Sequence, residues 1–246
     1  MIQSLRLAKR LAALVPCSRS DAEHYIGAGW VRVDGQVMLL PESRVNDTQK
    51  VELDANATLK PSAPVTILLH QPAAPATGMA ADASHGDPAI DYLKGATRAS
   101  DDRSGIRVLK SHFTHLKSVA PLEQGASGLA VFTQDGRIAR KFTQDATSIE
   151  REVIVEVEGE IAEHGLKRLN HGLEWNGKAL PPIRVSWQNE RRLRFAIKGE
   201  RPGQIVHMCT SVGLTVLGMK RIRIGRVPMA GLAPGQWRYL PEGERF

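Results

Sequence analysis

Cysteine is nearly missing from this chain of 246 residues, which holds Cys17 and Cys209 and no others. Two such distant thiols offer no metal-ligand spacing, and they fit a reducing cytosol. Long apolar runs are also missing. Nothing approaches the roughly twenty residues of a membrane span, and the opening Met1-Ile2-Gln3-Ser4-Leu5-Arg6 lacks the apolar stretch of a secretory signal. A cytoplasmic address with no membrane contact is the expectation. His70, His112 and His115 are too loosely placed to make a metal site. The spacing of a nucleophile elbow is absent. Gly125-Ala126-Ser127-Gly128 is not followed by the Gly-Lys-Ser/Thr of a phosphate-binding loop, so no nucleotide cofactor is expected. No internal repeat is evident.

What is present is apolar enough to fold, at 42% hydrophobic residues, and long enough for one medium domain plus a small one. The formal charge is +7. From Asn189 to Phe246 there are 11 Lys and Arg against 4 Asp and Glu, an excess equal to that of the whole chain. Such a concentration points to a polyanionic partner.

Residues 1–56 read as a small α/β unit. Leu5, Ala8, Leu11, Ala12 and Val15 follow helical spacing, and Pro16 stops the helix. Ser18 is placed to cap a second helix, with Asp21 three residues on completing a capping box. Gly27-Ala28-Gly29 ends it. Trp30 to Val33 and the region around Val51 to Leu53 read as strands, with Asp34-Gly35 as a tight hairpin turn. Residues 57–64 form a polar, Pro-containing linker. Residues 65–246 make the larger domain, beginning with a strand from Val65 to Leu69 and a mobile Ala-, Asp- and Gly-rich loop at 73–88. Strands are then expected near 105–110, 128–133, 150–158, 192–198 and 214–224, with helices near 135–144, 160–170 and 203–212. Hairpin-like strand neighbours favour α+β over a doubly wound parallel sheet.

The chain centres on Pro121-Leu122-Glu123-Gln124-Gly125-Ala126-Ser127-Gly128. This polar loop carries one carboxylate and runs into the apolar strand Leu129 to Phe132. Thr133 and Asp135-Gly136 close the strand, Gly136 suiting a turn that needs a positive φ. The stretch resembles the signature of bacterial ribosomal RNA pseudouridine synthases that carry an S4-like RNA-binding domain. Leu122, Gly128, Leu129, Thr133, Asp135 and Gly136 match that signature. Ser18-Arg19-Ser20-Asp21-Ala22 and Arg32-Val33-Asp34-Gly35 resemble the S4-like module, and Gly231 to Leu240 resembles the closing strand of the family, so the likeness runs nearly end to end.

The resemblance implies a central mixed, mainly antiparallel sheet, and at the site a catalytic Asp, a Tyr packed on the uracil and an Arg paired with the Asp. By position these fall on Glu123, Val153 and Val206, with His207 beside the last. Pro121, Ala126 and Gln71 stand where the family has Arg, Thr or Ser, and Lys. The longer Glu123 side chain would move its carboxylate by about 1 Å, a misplacement that can cost about a hundredfold in rate. Three readings stay open: an RNA-binding family member that has lost the chemistry, a working synthase using Glu123, and a protein-interaction scaffold that binds no RNA. Catalysis, if kept, rests on Glu123. The resemblance implies ribosomal RNA as partner and a monomer. Candidate phosphate contacts in the small unit are Arg6, Lys9, Arg10, Arg19 and Arg32. In the larger domain they are Arg191, Arg192, Arg194, Lys220, Arg221, Arg223 and Arg226. Simple strand alternation places Arg221 and Arg223 on one face, with Ile222 and Ile224 turned into the core.

Overall fold

The small unit is built on the cap that Ser18 predicts. In the computed structural model, which describes residues 4–59, 63–73 and 88–246, Ser18 Oγ accepts the Asp21 N–H at 3.1 Å. The Asp21 carboxylate accepts the Ser18 N–H at 3.0 Å. This reciprocal pair satisfies donors that the first helical turn leaves open. The helix it starts, α2 (Arg19–Gly27), lies against α1 (Leu7–Leu14), which follows the short strand β1 (Leu5–Arg6). Leu7, Leu11, Ala22 and Ile26 form their buried seam, closed by Val31, Val33 and Val45 from strands. Strands β2 (Val31–Val33), β3 (Gln36–Met38) and β5 (Val51–Leu53) make a three-stranded sheet in the order β3-β2-β5, while β4 (Arg44–Val45) pairs with β1. Positive φ at Asp34 and Gly35 gives the hairpin turn its hand.

Residues 107–116 belong with residues 1–64 rather than with the rest of the chain. The strand expected at 105–110 does not form. The Arg107 guanidinium lies 5.1 Å from the centre of the Trp30 ring and donates to the Ala28 carbonyl at 3.2 Å. Leu109 sits against Gly29 and a short 3-10 turn covers Lys110–Phe113. The segment covers a surface instead of pairing with a neighbour strand.

The second unit takes residues 65–106 and 117–246. Of the loop expected at 73–88, residues 74–87 lie outside the described residues. Its elements are β6 (Thr66–Gln71), β7 (Lys117–Ser118), β8 (Ser127–Thr133), α3 (Gly136–Gln144) and β9 (Glu150–Glu158). There follow α4 (Gly165–Asn170), β10 (Glu174–Trp175), β11 (Lys178–Ala179), β12 (Arg184–Asn189) and β13 (Arg192–Lys198). The chain closes with α5 (Gln204–Thr210), β14 (Thr215–Ile224), β15 (Val227–Pro228) and β16 (Trp237–Tyr239). The main sheet runs β12-β13-β9-β14-β8-β6-β16 and is antiparallel except at β14-β8. The fold is therefore α+β around a mixed sheet. Val153, Val155, Val157, Leu193 and Phe195 pack with Ile205, Met208 and Leu169 of α5 and α4. Leu68, Leu129, Val131 and Ile224 pack with Phe142 of α3.

Two bulges interrupt β14. Its register against β9 shifts between Val216 and Gly218, and again between Arg221 and Arg223. The first leaves Leu217 exposed. The second reverses the side-chain alternation beyond Ile222.

Gly136 does not adopt a positive φ; in this stretch Gly125, at +77°, and Gly128, at +112°, do. Asp135 caps α3 through a 2.8 Å bond to the Arg137 N–H, which makes Gly136 the first helical residue. A Cβ on Gly128 would stand 2.2 Å from the Arg221 carbonyl oxygen. Gly128→Ala is expected to cost about 3 kcal/mol or more. Gly136→Ala, where nothing lies within 4 Å of the added carbon, is expected to change stability by less than about 1 kcal/mol. Urea unfolding of the two variants checks both figures.

Candidate functional site

Glycine at 128 lets β8 lie so close to β14 that Arg221 reaches across it. Arg221 is buried, and its guanidinium donates to the Leu129 carbonyl at 2.8 Å, to the Pro121 carbonyl at 3.2 Å and to the Ala120 carbonyl. One side chain thereby ties the 120–126 loop to the strand that follows it. Burial pushes its pKa down to about 10, helped by the Arg151 charge and opposed by Glu200 and Glu123. At neutral pH it remains a cation.

Glu123 projects from this loop and is half buried. Its Oε2 accepts the Gly203 N–H at 3.1 Å, just ahead of α5. Between them lies a cavity of about 40 Å³ lined by Pro121, Leu122, Glu123, Ala126, Val153, Glu200, Ile205, Met219 and Arg221. Its wall is two carboxylates, one guanidinium and otherwise apolar. None of these lining residues is aromatic. Glu200 carries no signal in the sequence that would single it out. Its Oε1 accepts from Arg151 at 3.0 Å, and its Oε2 is buried without a hydrogen-bond partner among the described residues. The wall therefore offers an open acceptor as well as the Glu123 carboxylate.

The cation of the cavity is Arg221, which corrects its expected place on an exposed track. Val206 is exposed on α5. His207 packs edge-on against Trp175, ring centres 4.8 Å apart, and its Nε2 meets the Glu174 carbonyl at 2.9 Å. Neither lines the cavity. Simple alternation fails here because Arg221 pairs opposite Val153 whereas Arg223 pairs opposite Glu152. Val153 and Glu152 point to opposite faces, so the two arginines do too. Ile224 is buried as expected, while Ile222 is only partly so. No residue type marks such a bulge; Gly128, which only a close neighbour strand requires, is the available signal.

Arg223 is held by Glu150 at 2.5 Å and Glu152 at 2.7 Å, and also donates to the Gly225 carbonyl. Arg194 pairs with Glu152, and Arg192 lies 3.7 Å from Glu156. This sheet face is thus a ladder of alternating charges. Arg191 and Arg226 are exposed, and Lys220 is partly so. In the small unit Arg6, Lys9, Arg19 and Arg32 are exposed, while the half-buried Arg10 faces Asp47 at 3.8 Å. Arg19 also meets Glu23 at 3.2 Å. His70 is buried, its Nδ1 bonded to the Leu232 carbonyl at 2.7 Å, and burial lowers its pKa. Among the described residues no group of three or more His, Cys, Asp or Glu could hold a metal, and no helix is long and apolar enough to cross a membrane.

Comparison with known proteins gives a consistent result. No protein-family model matches the chain. An uncharacterized RNA pseudouridine synthase of Aquifex aeolicus is 26% identical over 243 residues, covering 98% of this chain and 94% of that protein. The dual-specificity RNA pseudouridine synthase RluF of Escherichia coli is 24% identical over 98% of this chain and 77% of its own length. Ribosomal large subunit pseudouridine synthase B of Bacillus subtilis is 24% identical over 97% of this chain and 93% of its own length. A crystal structure of a pseudouridylate synthase superposes with a TM-score of 0.58 at 18% identity, over 97% of this chain and 96% of that one, which is a likeness of fold.

Glu152, buried between Arg223 and Arg194, carries a pH signature. The hydrogen bond from Arg223 holds its carboxyl below the ordinary range; burial opposes this, and Arg194 adds to it. A depressed carboxylate stabilises the fold above its unfolded pKa of about 4.3, and that stability is lost as pH falls through the lower folded value. Glu152→Gln should therefore lower stability by about 1–3 kcal/mol at pH 7. The gap between variant and wild type should narrow below about pH 4. Thermal or urea unfolding across pH 3–7 reads this out.

Proposed function

The chain belongs to the RNA pseudouridine synthase family, and on that footing we propose that it binds ribosomal RNA in the cytoplasm without isomerising uridine at an enzymatic rate. The observation that supports this reading is the cavity wall: Val153, the position that the family resemblance gives to the Tyr, lines it, and none of the lining residues is aromatic. An apolar γ-carbon pair gives shape but no stacking face. The carboxylate is also altered. Glu123 has one methylene more than Asp, and its Oε2 is already engaged by the Gly203 N–H. A reacting group displaced by about 1 Å can lose about a hundredfold in rate. The family reaction also requires the base to leave its stack and enter a pocket, and a cavity of about 40 Å³ is closer to a water site than to a nucleobase site.

A second reading has its own observation. The buried cation Arg221 beside Glu123 supplies the charge that the Val206 position lacks. On this reading the protein is a synthase that works with a longer-armed acid.

The two are separated by tritium release from ribosomal RNA labelled at uridine C5, since forming the carbon–carbon bond expels that hydrogen. Expected for the wild type is retention of RNA with no release above background. Release that Glu123→Ala abolishes would establish the synthase and end the first reading. A protein that retains no RNA would end both and leave a protein-interaction scaffold. RNA affinity is also expected to fall with salt, by a log–log slope of about 0.7 to 0.9 per phosphate contact. Reversing the exposed Arg19 and Arg32 to Glu should reduce that slope, as filter binding between about 50 and 200 mM salt would show.

A further inference from the structure

Apart from the Glu123 cavity, the second unit holds a larger groove of about 680 Å³, a volume in the range of ligand clefts. Its walls come from the β10-β11 hairpin, the ends of β12 and β13, and the loop into α5. Four cations line it: Lys178, Arg184, Lys198 and Arg201. None of them forms an ion pair among the described residues, in contrast to the Arg192, Arg194 and Arg223 ladder on the same sheet. The carboxylate on the groove wall, Glu150, is already held by Arg223 at 2.5 Å. Uncompensated positive charge gathered in a concavity is a site for an anion.

The groove also has an aromatic face. Trp175 and Lys178 are register partners across the hairpin, so their side chains project to the same side. The Trp175 ring is braced edge-on by His207 at 4.8 Å, and a Cβ on Gly203 would lie 3.7 Å from it. The indole is half buried and fixed from behind. A fixed aromatic face beside unpaired cations is the combination that holds single-stranded nucleic acid: bases stack on the ring while cations follow the phosphates.

Its position joins it to the cavity. The loop of residues 198–204 sends Lys198 and Arg201 to the groove, while Glu200 lines the cavity and Gly203 donates to Glu123. We propose that this groove binds single-stranded RNA where it runs past the Glu123 loop, with Trp175 stacked on a base and the four cations on its phosphates. The proposal rests on the RNA-binding reading above and names the residues that carry it.

The test is fluorescence anisotropy with a labelled eight-residue uridine oligonucleotide and with a ribosomal stem-loop. It compares wild type with Lys178→Glu/Arg184→Glu, Trp175→Ala and Trp175→Phe. The double reversal should weaken oligonucleotide binding at least about tenfold and flatten its salt slope by about 0.7 for each phosphate no longer neutralised. Trp175→Ala should weaken it about 5- to 100-fold, and Trp175→Phe should restore most of the affinity. Binding that is unchanged in these variants, while the wild type still holds RNA, overturns the groove and leaves the RNA-binding reading standing. Weakening on charge reversal with no effect of Trp175→Ala also overturns it, since that is the behaviour of a track for any acidic chain, an acidic peptide included. No RNA bound by the wild type overturns the underlying reading itself. A variant that fails to fold is bypassed by crosslinking 4-thiouridine RNA to the wild type. Adducts on the β10-β11 hairpin support the groove, and adducts confined to other segments overturn it.

Discussion

The larger domain turns on the near-contact between the backbones at Gly128 and Arg221. Strands β8 and β14 are the parallel pair in a sheet whose other main pairings are antiparallel. Parallel neighbours cannot be joined by a hairpin, so their register must be set by packing. Here the absence of a Cβ at 128 sets it: the space a methyl group would need is filled by the Arg221 peptide. Once the strands are that close, the Arg221 side chain has a buried route to the Ala120, Pro121 and Leu129 carbonyls. Those carbonyls gain a charged donor in a largely apolar wall, where an unmade bond costs more than a made one gains. Backbone geometry thus creates the place for a cation, and the cation in turn shapes the loop that holds Glu123.

Charge in this domain falls into three environments. In the cavity, Arg221 is buried and bound to carbonyls. On the open sheet face, Arg194 and Arg223 share Glu152, with Glu150 beside them, in a ladder that is nearly neutral. In the groove, Lys178, Arg184, Lys198 and Arg201 stand without carboxylate partners among the described residues. The basic last quarter of the chain is therefore not one positive surface. Some of its arginines are structural, and the free charge extends to residues before Asn189 that composition by quarters leaves out.

Much of the architecture can be read from residue order. Alternating apolar residues place β9 at 150–158 and β13 at 192–198 with their observed bounds. The Ser18–Asp21 spacing gives away the cap of α2, because a capping box depends on four adjacent residues. What residue order does not show depends on distant partners. The bulge at Ile222 exists because β9 and β14 fit only with an extra residue there, and nothing local to Met219-Lys220-Arg221-Ile222-Arg223 announces it. Ile106 to Leu109 has the makings of a strand, yet the chain uses the segment from Arg107 onward to cover Trp30 and Gly29 of the small unit. At the site, the Glu123 loop is legible from its own residues. Its Arg221 and Glu200 neighbours are not, since they arrive from strands and loops far along the chain.

That distance has a consequence for how the protein comes into being. Arg221 binds partners 92 to 101 positions earlier in the chain. The β6 and β16 pairing spans an even longer interval, from Leu69 to Trp237. Contacts of such separation form late, because the loop-closing entropy must be met before they return anything. During synthesis the helices and strands of the small unit, all within residues 5–53, can fold before residues 107–116 and most of the second unit emerge. The Glu123 loop lacks its Gly203 donor and its Arg221 tie until α5 and then β14 have left the ribosome. A nascent chain would thus form the helices and strands of the small unit well before the cavity takes its shape.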